Sequence, residues 1–132
     1  MYLLDTNIVI FLFKGNAAVT EKIKKAQLSN CFISEITIAE LKYGAAKSNR
    51  PEYHNSIIDS FIQDVGIIPI YDALDEYAKE KVRLEKDGNR IDDFDLLIGV
   101  TSVVNNLILV TNNISHLNRI NNIKIEDWTH SA

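Results

Sequence analysis

Three acidic residues occupy positions where a carboxylate is costly, and each lies in a different part of the chain. Asp5 ends the apolar run 2–4, Glu40 is the one acid in segment 36–45, and Asp95 precedes a long apolar segment. An ionised carboxylate that is buried without a partner is destabilising. If the three side chains converge, their mutual repulsion raises their pKa values.

A divalent cation would remove this repulsion, and a ligand set made only of oxygen atoms favours Mg²⁺ or Mn²⁺. Two such ions about 3.5–4 Å apart can stabilise both the attacking and the leaving oxygen of a phosphodiester. The histidine and cysteine spacing of a zinc site is missing, because His54, His116 and His130 are far apart. We expect these histidines to be ordinary surface or core residues.

Each acid also has an explanation that requires no ligand. Glu40 could be a solvated glutamate beside a lysine of its own helix. Asp92 or Asp93 could cap the helix that contains Asp95, and acids in a first turn favour the positive end of a helix. Capping requires one aspartate rather than three, so a structural and a functional role for Asp95 both remain open.

Apolar runs alternate with helical patterns along the chain. The predicted strands are 2–5, 31–34, 66–70, 107–110 and, less regularly, 123–126. The predicted helices are 7–13, 16–27, 35–48, 51–65, 73–88 and 93–106, with a short helix after the polar turn 111–113. Strands that are apolar throughout and separated by helices indicate a parallel sheet covered on both faces. We therefore expect one domain (1–132) of the three-layer α/β/α class, with a mostly parallel central sheet of four to five strands.

The carboxyl edge of such a sheet is where a site is expected. Asp5 ends the first strand, and Thr111 follows the fourth, so both are predicted at this edge. The helix 35–48 should pack with two apolar stripes toward the core. These stripes are Ile36, Ala39 and Tyr43, and Ile38, Leu41 and Ala45.

Composition limits the class of protein. The chain has 132 residues, 46% of them hydrophobic, and a formal net charge of −4. This charge argues against nucleic-acid binding by bulk electrostatics, so such a role would require a local basic face or a metal. Cys31 is the one cysteine, which excludes an internal disulfide; we expect a buried core thiol and a reducing, cytoplasmic setting. There is no signal-peptide pattern, and the apolar run 8–13 is too short to span a membrane.

Five segments in a fixed order resemble a known family. They are "LLDTN" at the start, "ISEITIAELKYG" at 33–44, "DFDLLIGV" at 93–100, "LILVTNN" at 107–113 and "IKIEDW" at 123–128. Together they resemble the PIN-domain ribonucleases, and specifically the VapC-type toxins of type II toxin–antitoxin pairs. The resemblance extends over nearly the whole chain.

The resemblance implies a site as well as a fold. The metal-binding acids of the family fall on Asp5, Glu40 and Asp95. A fourth acid is common in the family where this chain has Asn113, which leaves one or two Mg²⁺ or Mn²⁺ ions possible. Further residues are implied as extra ligands or as groups that orient the acids and their waters. The possible extra ligands are Asp92 and Asp93, and the orienting groups are Thr6, Asn7, Ser34, Thr111 and Asn113.

The resemblance further implies a metal-dependent endoribonuclease toxin that cleaves structured cellular RNA, often tRNA, and so inhibits translation. The family implies a VapB-like antitoxin that covers the acidic site, and a homodimer to which 8–13 and Tyr43 could contribute, although core packing is the first expectation for both. RNA could contact either of two basic groups. These are Lys42, Lys47 and Arg50, and Lys79, Lys81, Arg83 and Lys86.

Two alternatives remain from the sequence. A receiver-like or phosphatase-like α/β domain also places an aspartate at a strand end, but "DTN" lacks the second carboxylate expected there. A PIN-like domain that binds RNA or protein without cleavage is the other alternative, because Asn113 replaces a common acid.

Overall fold

The computed structural model describes residues 1–130. The strands in this part of the chain are β1 (Tyr2–Leu4), β2 (Cys31–Ser34), β3 (Gly66–Ile68), β4 (Ile108–Val110) and β5 (Ile125–Glu126). The helices are α1 (Thr6–Phe13), α2 (Ala17–Ala26), α3 (Glu35–Lys47), α4 (Pro51–Asp64), α5 (Leu74–Lys86), α6 (Asp93–Val104) and α7 (Ile114–Leu117). None of the helices in the described residues combines the length and apolar character that crossing a membrane requires.

The five strands form one sheet in the order β3-β2-β1-β4-β5, and every neighbouring pair is parallel. β1 is central, with Tyr2 aligned to Cys31 of β2 on one side and to Ile108 of β4 on the other. The predicted parallel sheet is therefore confirmed, with five strands.

The side chains of successive residues of β1 point to opposite faces of the sheet, as in any β-strand. Leu4 packs in a core with residues of α1, α2, α3 and α4. Leu3 packs in a second core with residues of α5 and α6. Two cores on the two faces of one sheet confirm the predicted α/β/α layers.

The ends of the predicted elements shift by a few residues for local reasons. The strand expected over 66–70 ends at Ile68 because Pro69 has no N–H to donate, and β3 is an edge strand as the proline indicated. β1 ends at Leu4, and Asp5 follows it as the N-cap of α1. Cys31 is buried, as predicted, and burial raises the pKa of its thiol to about 11, which keeps it protonated.

One prediction about α3 is wrong. Ala39 and Tyr43 were expected in an apolar stripe, but both are exposed, and Tyr43 is 67% exposed. The buried stripe of α3 runs instead through Thr37, Leu41 and Ala45 at intervals of four residues. A threonine can lie on the buried face because its hydroxyl has a partner there, the hydroxyl of Thr6.

Candidate active site

Asp5 is fixed where β1 ends and α1 begins. Its backbone N–H donates to the carbonyl of Val110 at 2.9 Å, which extends the pairing of β1 with β4 by one residue. Its Oδ1 accepts from the N–H of Thr6 at 2.8 Å and so caps α1. A parallel strand followed directly by a helix thus holds the carboxylate at the carboxyl edge of the sheet.

The second oxygen of Asp5 is held by the neighbouring strand. Thr111, the residue after β4, donates its hydroxyl to Asp5 Oδ2 at 2.8 Å, and both residues are buried. Burial raises the pKa of Asp5, while the hydrogen bonds from Thr111 and Thr6 lower it. Burial has the larger effect, so the Asp5 carboxylate favours a nearby positive charge.

Glu40 reaches the same site from α3. Thr6 donates its hydroxyl to Glu40 Oε1 at 2.7 Å, and the hydroxyl of Thr37 lies 2.9 Å from that of Thr6. A hydroxyl has one proton, so when Glu40 is ionised Thr37 is the donor to Thr6. Burial is the main cause of a raised pKa for Glu40, and the negative charges of Asp5 and Asp92 raise it further.

Asp95 completes the group from the first turn of α6. Its pKa is raised from 3.8 to about 6, first by burial and then by the negative charges of Asp5, Asp92 and Glu40. His116 opposes this shift and lowers the pKa. The three acids predicted from the sequence therefore act on one another electrostatically in the folded protein.

The two neighbouring aspartates differ in their surroundings. Asp92 is the N-cap of α6, where its carboxylate accepts from the N–H of Phe94 at 3.3 Å, and its charge acts on the acidic site. Asp93 is turned to α5, where it accepts from Lys81 at 2.8 Å and from the Tyr77 hydroxyl at 2.9 Å. Of the two possible extra ligands, Asp92 is therefore the one that faces the acids.

The supporting residues expected from the sequence lie at unequal distances from the acids. Thr6 and Thr111 donate directly to carboxylates. Ser34 is buried and caps α3 through the N–H of Ile36 at 3.0 Å. Asn7 is exposed at the start of α1, and the N–H of Asn113 donates to the Thr111 hydroxyl at 3.0 Å.

Sequence reasoning missed two residues. Thr37 was missed because a threonine, unlike the carboxylate of Glu40 in the same helix, is not costly to bury when its hydroxyl has a partner, so its sequence position gave no signal. His116 was expected to be an ordinary residue, but its Nδ1 lies 2.7 Å from Asn113 Oδ1, and a positive charge on its ring lowers the pKa of Asp95. The only available signal was its position six residues after a strand that ends at the predicted site.

The donor chemistry of the site suits a hard divalent cation. Within residues 1–130, no lysine, arginine or histidine forms a salt bridge with Asp5, Glu40 or Asp95. In the same residues, no three acidic, histidine or cysteine side chains are grouped so that they alone could hold a metal. Mg²⁺ is commonly bound through one or two carboxylates and keeps several waters, which fits a site of this kind.

The fold and the site together define an α/β protein with an uncompensated acidic cluster at the carboxyl edge of a parallel sheet. The family model described as "PIN domain" matches residues 2–122. The tRNA(fMet)-specific endonuclease VapC of Shigella flexneri is 35% identical over 131 residues, covering 97% of this chain and 98% of that protein. Ribonuclease VapC2 of Rickettsia felis is equally similar, at 35% identity with the same coverage.

A solved structure of VapBC2 from Rickettsia felis, bound to a DNA fragment from its promoter, superposes with a TM-score of 0.88. Its matching chain is 33% identical, and the match covers 96% of this chain and 98% of that one. The chain belongs to the PIN-domain family and, within it, to the VapC ribonucleases.

Proposed function

We propose that the protein is a metal-dependent endoribonuclease toxin whose substrate is structured RNA, with tRNA as the first candidate. The observation that carries this proposal is the cluster of Asp5, Glu40 and Asp95, whose pKa values are all raised and which lacks a lysine or arginine partner within residues 1–130. The endonuclease and ribonuclease names of its relatives support the same chemistry. Cleavage of tRNA would inhibit translation.

Asp5 and Asp95 would hold a Mg²⁺ or Mn²⁺ ion, and Glu40 would hold the ion or one of its waters. When bound, such an ion lowers the pKa of a water and offsets charge on the phosphate. Thr111 and Thr6 keep the carboxylates oriented for this task. With water as the nucleophile, the products carry 5′-phosphate and 3′-hydroxyl ends.

RNA would approach along α3 and α4 rather than along α5. The basic residues of α5 are largely engaged in ion pairs, which are Lys79 with Glu76, Lys81 with Asp93, and Arg83 with Glu80 and Asp87. In the other basic group, Lys42 pairs with Asp59 at 2.9 Å, but Lys47 and Arg50 remain outside ion pairs among residues 1–130. They lie over the exposed rings of Tyr43 and Tyr53, at 5.8 Å and 4.1 Å. A cation beside an exposed aromatic ring suits contact with both the backbone and the bases of single-stranded RNA.

A VapB-like antitoxin is the proposed protein partner. A groove of about 510 Å³ lies between α1, α3 and α4, lined mostly by apolar side chains and bordered by Glu40. An antitoxin segment could lay apolar side chains in this groove and direct an arginine toward the acids. The VapBC structure of Rickettsia felis supports a partner of this kind.

We further propose that the protein is a homodimer that acts in the cytoplasm, where its RNA substrate and its antitoxin would be found. Tyr43 is 67% exposed and is available for a subunit contact. Ile8 and Val9 are fully buried within the chain, so the run 8–13 would contribute through its partly buried end, Ile10 to Phe13.

The test is cleavage of RNA by purified, antitoxin-free protein. Total tRNA and a tRNA(fMet) transcript would be incubated with Mg²⁺, Mn²⁺ or EDTA, beside the variants Asp5→Asn and Asp95→Asn. Asp93→Asn is the matched control, because this carboxylate lies in the same turn but pairs with Lys81. We expect discrete, metal-dependent cleavage that both site variants abolish and the control retains. Binding without cleavage by a folded protein that binds Mn²⁺ would favour the non-cutting alternative.

A further inference from the structure

His116 is connected to the acidic site by a series of hydrogen bonds. Its Nδ1 lies 2.7 Å from Asn113 Oδ1, and the N–H of Asn113 donates to the Thr111 hydroxyl at 3.0 Å. That hydroxyl donates in turn to Asp5 Oδ2 at 2.8 Å. The imidazole is therefore placed by the same residues that orient Asp5, although no part of the proposed mechanism uses it.

The contact with Asn113 determines which ring nitrogen faces outward. An amide oxygen can only accept a hydrogen bond, so Nδ1 of His116 carries the proton that bridges the two side chains. Nε2 has no hydrogen-bond partner among residues 1–130, and the side chain is exposed. Nε2 is thus the atom that can bind a group from outside the protein.

The negative charge of the acidic site indicates what Nε2 of His116 could bind. Carboxylates repel a phosphodiester, so productive binding of RNA requires donors and positive charge close to them. Among the groups of the described residues that shift the pKa of Asp5, Glu40 or Asp95, His116 is the one that can be positively charged.

With Nδ1–H directed to Asn113, Nε2 carries a proton only when the ring is an imidazolium. We propose that His116 in this cationic form binds an RNA phosphate at the acidic site, donating from Nε2–H to a phosphate oxygen. Asn113 positions the ring for this contact by accepting from Nδ1–H. The inference rests on the proposed ribonuclease function, because it names a contact with the substrate of that same site.

Three substitutions of His116 distinguish the contributions of its two ring nitrogens to RNA binding. His116→Ala removes both. An asparagine amide can occupy the place of Nδ1, and a longer glutamine amide can reach the place of Nε2, so His116→Asn and His116→Gln each preserve one contact. His130→Ala is the matched control, because His130 is an exposed histidine that pairs with Asp127.

The first measurement is RNA affinity, by fluorescence anisotropy of labelled tRNA(fMet) with Ca²⁺ in place of Mg²⁺ and with the RNA checked for integrity. A lost hydrogen bond to a charged group weakens binding by about 10- to 100-fold. We expect this loss in His116→Ala and His116→Asn, and a smaller loss in His116→Gln, which keeps the donor but not the charge. His130→Ala should retain the wild-type affinity. The melting temperatures of all variants should match that of the wild type.

The second measurement is cleavage of the same RNA with Mg²⁺, where the same variants should raise KM more than they lower kcat. Wild-type affinity in His116→Ala, or equal losses in the asparagine and glutamine variants, would overturn the role of His116 while leaving the nuclease intact. RNA binding without cleavage by the wild type would overturn the proposed function, and the affinities would still test His116. A wild type that binds no RNA would overturn both.

Discussion

The hydroxyl of Thr111 lies 2.8 Å from Oδ2 of Asp5, although 106 positions separate the two residues in the chain. The contact exists because β1 and β4 are neighbouring parallel strands that end at the same edge of the sheet. The N–H of Thr6 holds the other oxygen, so Asp5 is fixed from two elements. The orientation of this carboxylate is therefore a product of strand order.

Removal of the Thr111 hydroxyl should impair cleavage more than it impairs folding. Thr111→Val has a similar shape but leaves Asp5 Oδ2 without its buried donor. Loss of a group that orients a metal ligand commonly costs about 10- to 100-fold in metal affinity or activity. We expect a loss in that range in the Mg²⁺-dependent cleavage rate and in Mn²⁺ affinity measured by calorimetry. Thr111→Ser keeps the hydroxyl and should retain most of the activity; equal losses in both variants would contradict this explanation.

The raised pKa of Asp95 predicts that ionisation of this residue destabilises the metal-free folded protein, so that stability depends on pH. The folded-state pKa is about 6, above the ordinary value of 3.8, so the folded protein binds the additional proton between these pH values. The contribution of Asp95 to the free energy of unfolding therefore falls as pH rises from about 4 to about 6. Above pH 6 the ionised carboxylate continues to destabilise the folded protein. Asp95→Asn should melt several degrees above the wild type at pH 7.5 in EDTA, and this advantage should shrink toward pH 4.

A bound divalent metal ion should remove the higher melting temperature that Asp95→Asn has in EDTA. Mg²⁺ or Mn²⁺ binds the ionised carboxylates and stabilises the folded protein by mass action, so it should raise the melting temperature of the wild type at pH 7.5. Asp95→Asn should respond much less. Asp93→Asn is the control and should respond like the wild type, because Asp93 is paired with Lys81. A wild-type melting temperature that is insensitive to both metal and EDTA would count against the metal site.

The three acids could be identified from the sequence because each is a carboxylate in or beside an apolar segment. Their convergence followed from the strand-end position of Asp5 and from the family resemblance, since spacing alone does not reveal which helices meet. Thr37 was not identifiable, because only the tertiary structure brings Thr6 close to it. The effect of His116 on Asp95 likewise depends on the tertiary structure, although its partner Asn113 is only three residues away. For the same reason Tyr43 was misplaced: an aromatic residue at helical spacing resembles a core residue until the packing of α3 is known.

The asparagine at position 113 should limit metal affinity. In Asn113→Asp the new carboxylate can still accept from His116 Nδ1, and it adds a negative charge near Asp5 and Asp95. Since affinity for hard cations rises with the charge of the ligand set, we expect Mn²⁺ to bind about tenfold more tightly. Melting temperature in EDTA should fall, because repulsion among the acids increases. Asn112→Asp, at an exposed neighbouring position, should change neither property appreciably; equal effects at both positions would indicate a general charge effect.

The ion pair of Glu80 and Arg83, which lies away from the acidic site, should contribute to the free energy of unfolding. Glu80 is buried and accepts from Arg83 through both oxygens at 2.9 Å, and its Oε2 also accepts from the N–H of Asn121 at 3.1 Å. Arg83 also donates to the carbonyl of Arg119 at 2.8 Å, which ties α5 to the segment after α7. Hydrogen bonds from Arg83 lower the pKa of Glu80, so this contribution is present above its ordinary pKa and is lost as pH falls.

Arg83→Met leaves the Glu80 carboxylate without its charged partner and should lower the free energy of unfolding by about 1–3 kcal/mol in urea titrations at pH 7. Replacing both residues, as in Glu80→Leu with Arg83→Met, removes the stranded charge and should recover part of the loss. RNA cleavage by either variant, measured well below its melting temperature, should remain close to that of the wild type, because neither residue contacts the acidic site. A double variant less stable than Arg83→Met would show that Glu80 is satisfied without Arg83, and that its contact with Asn121 is the stronger one.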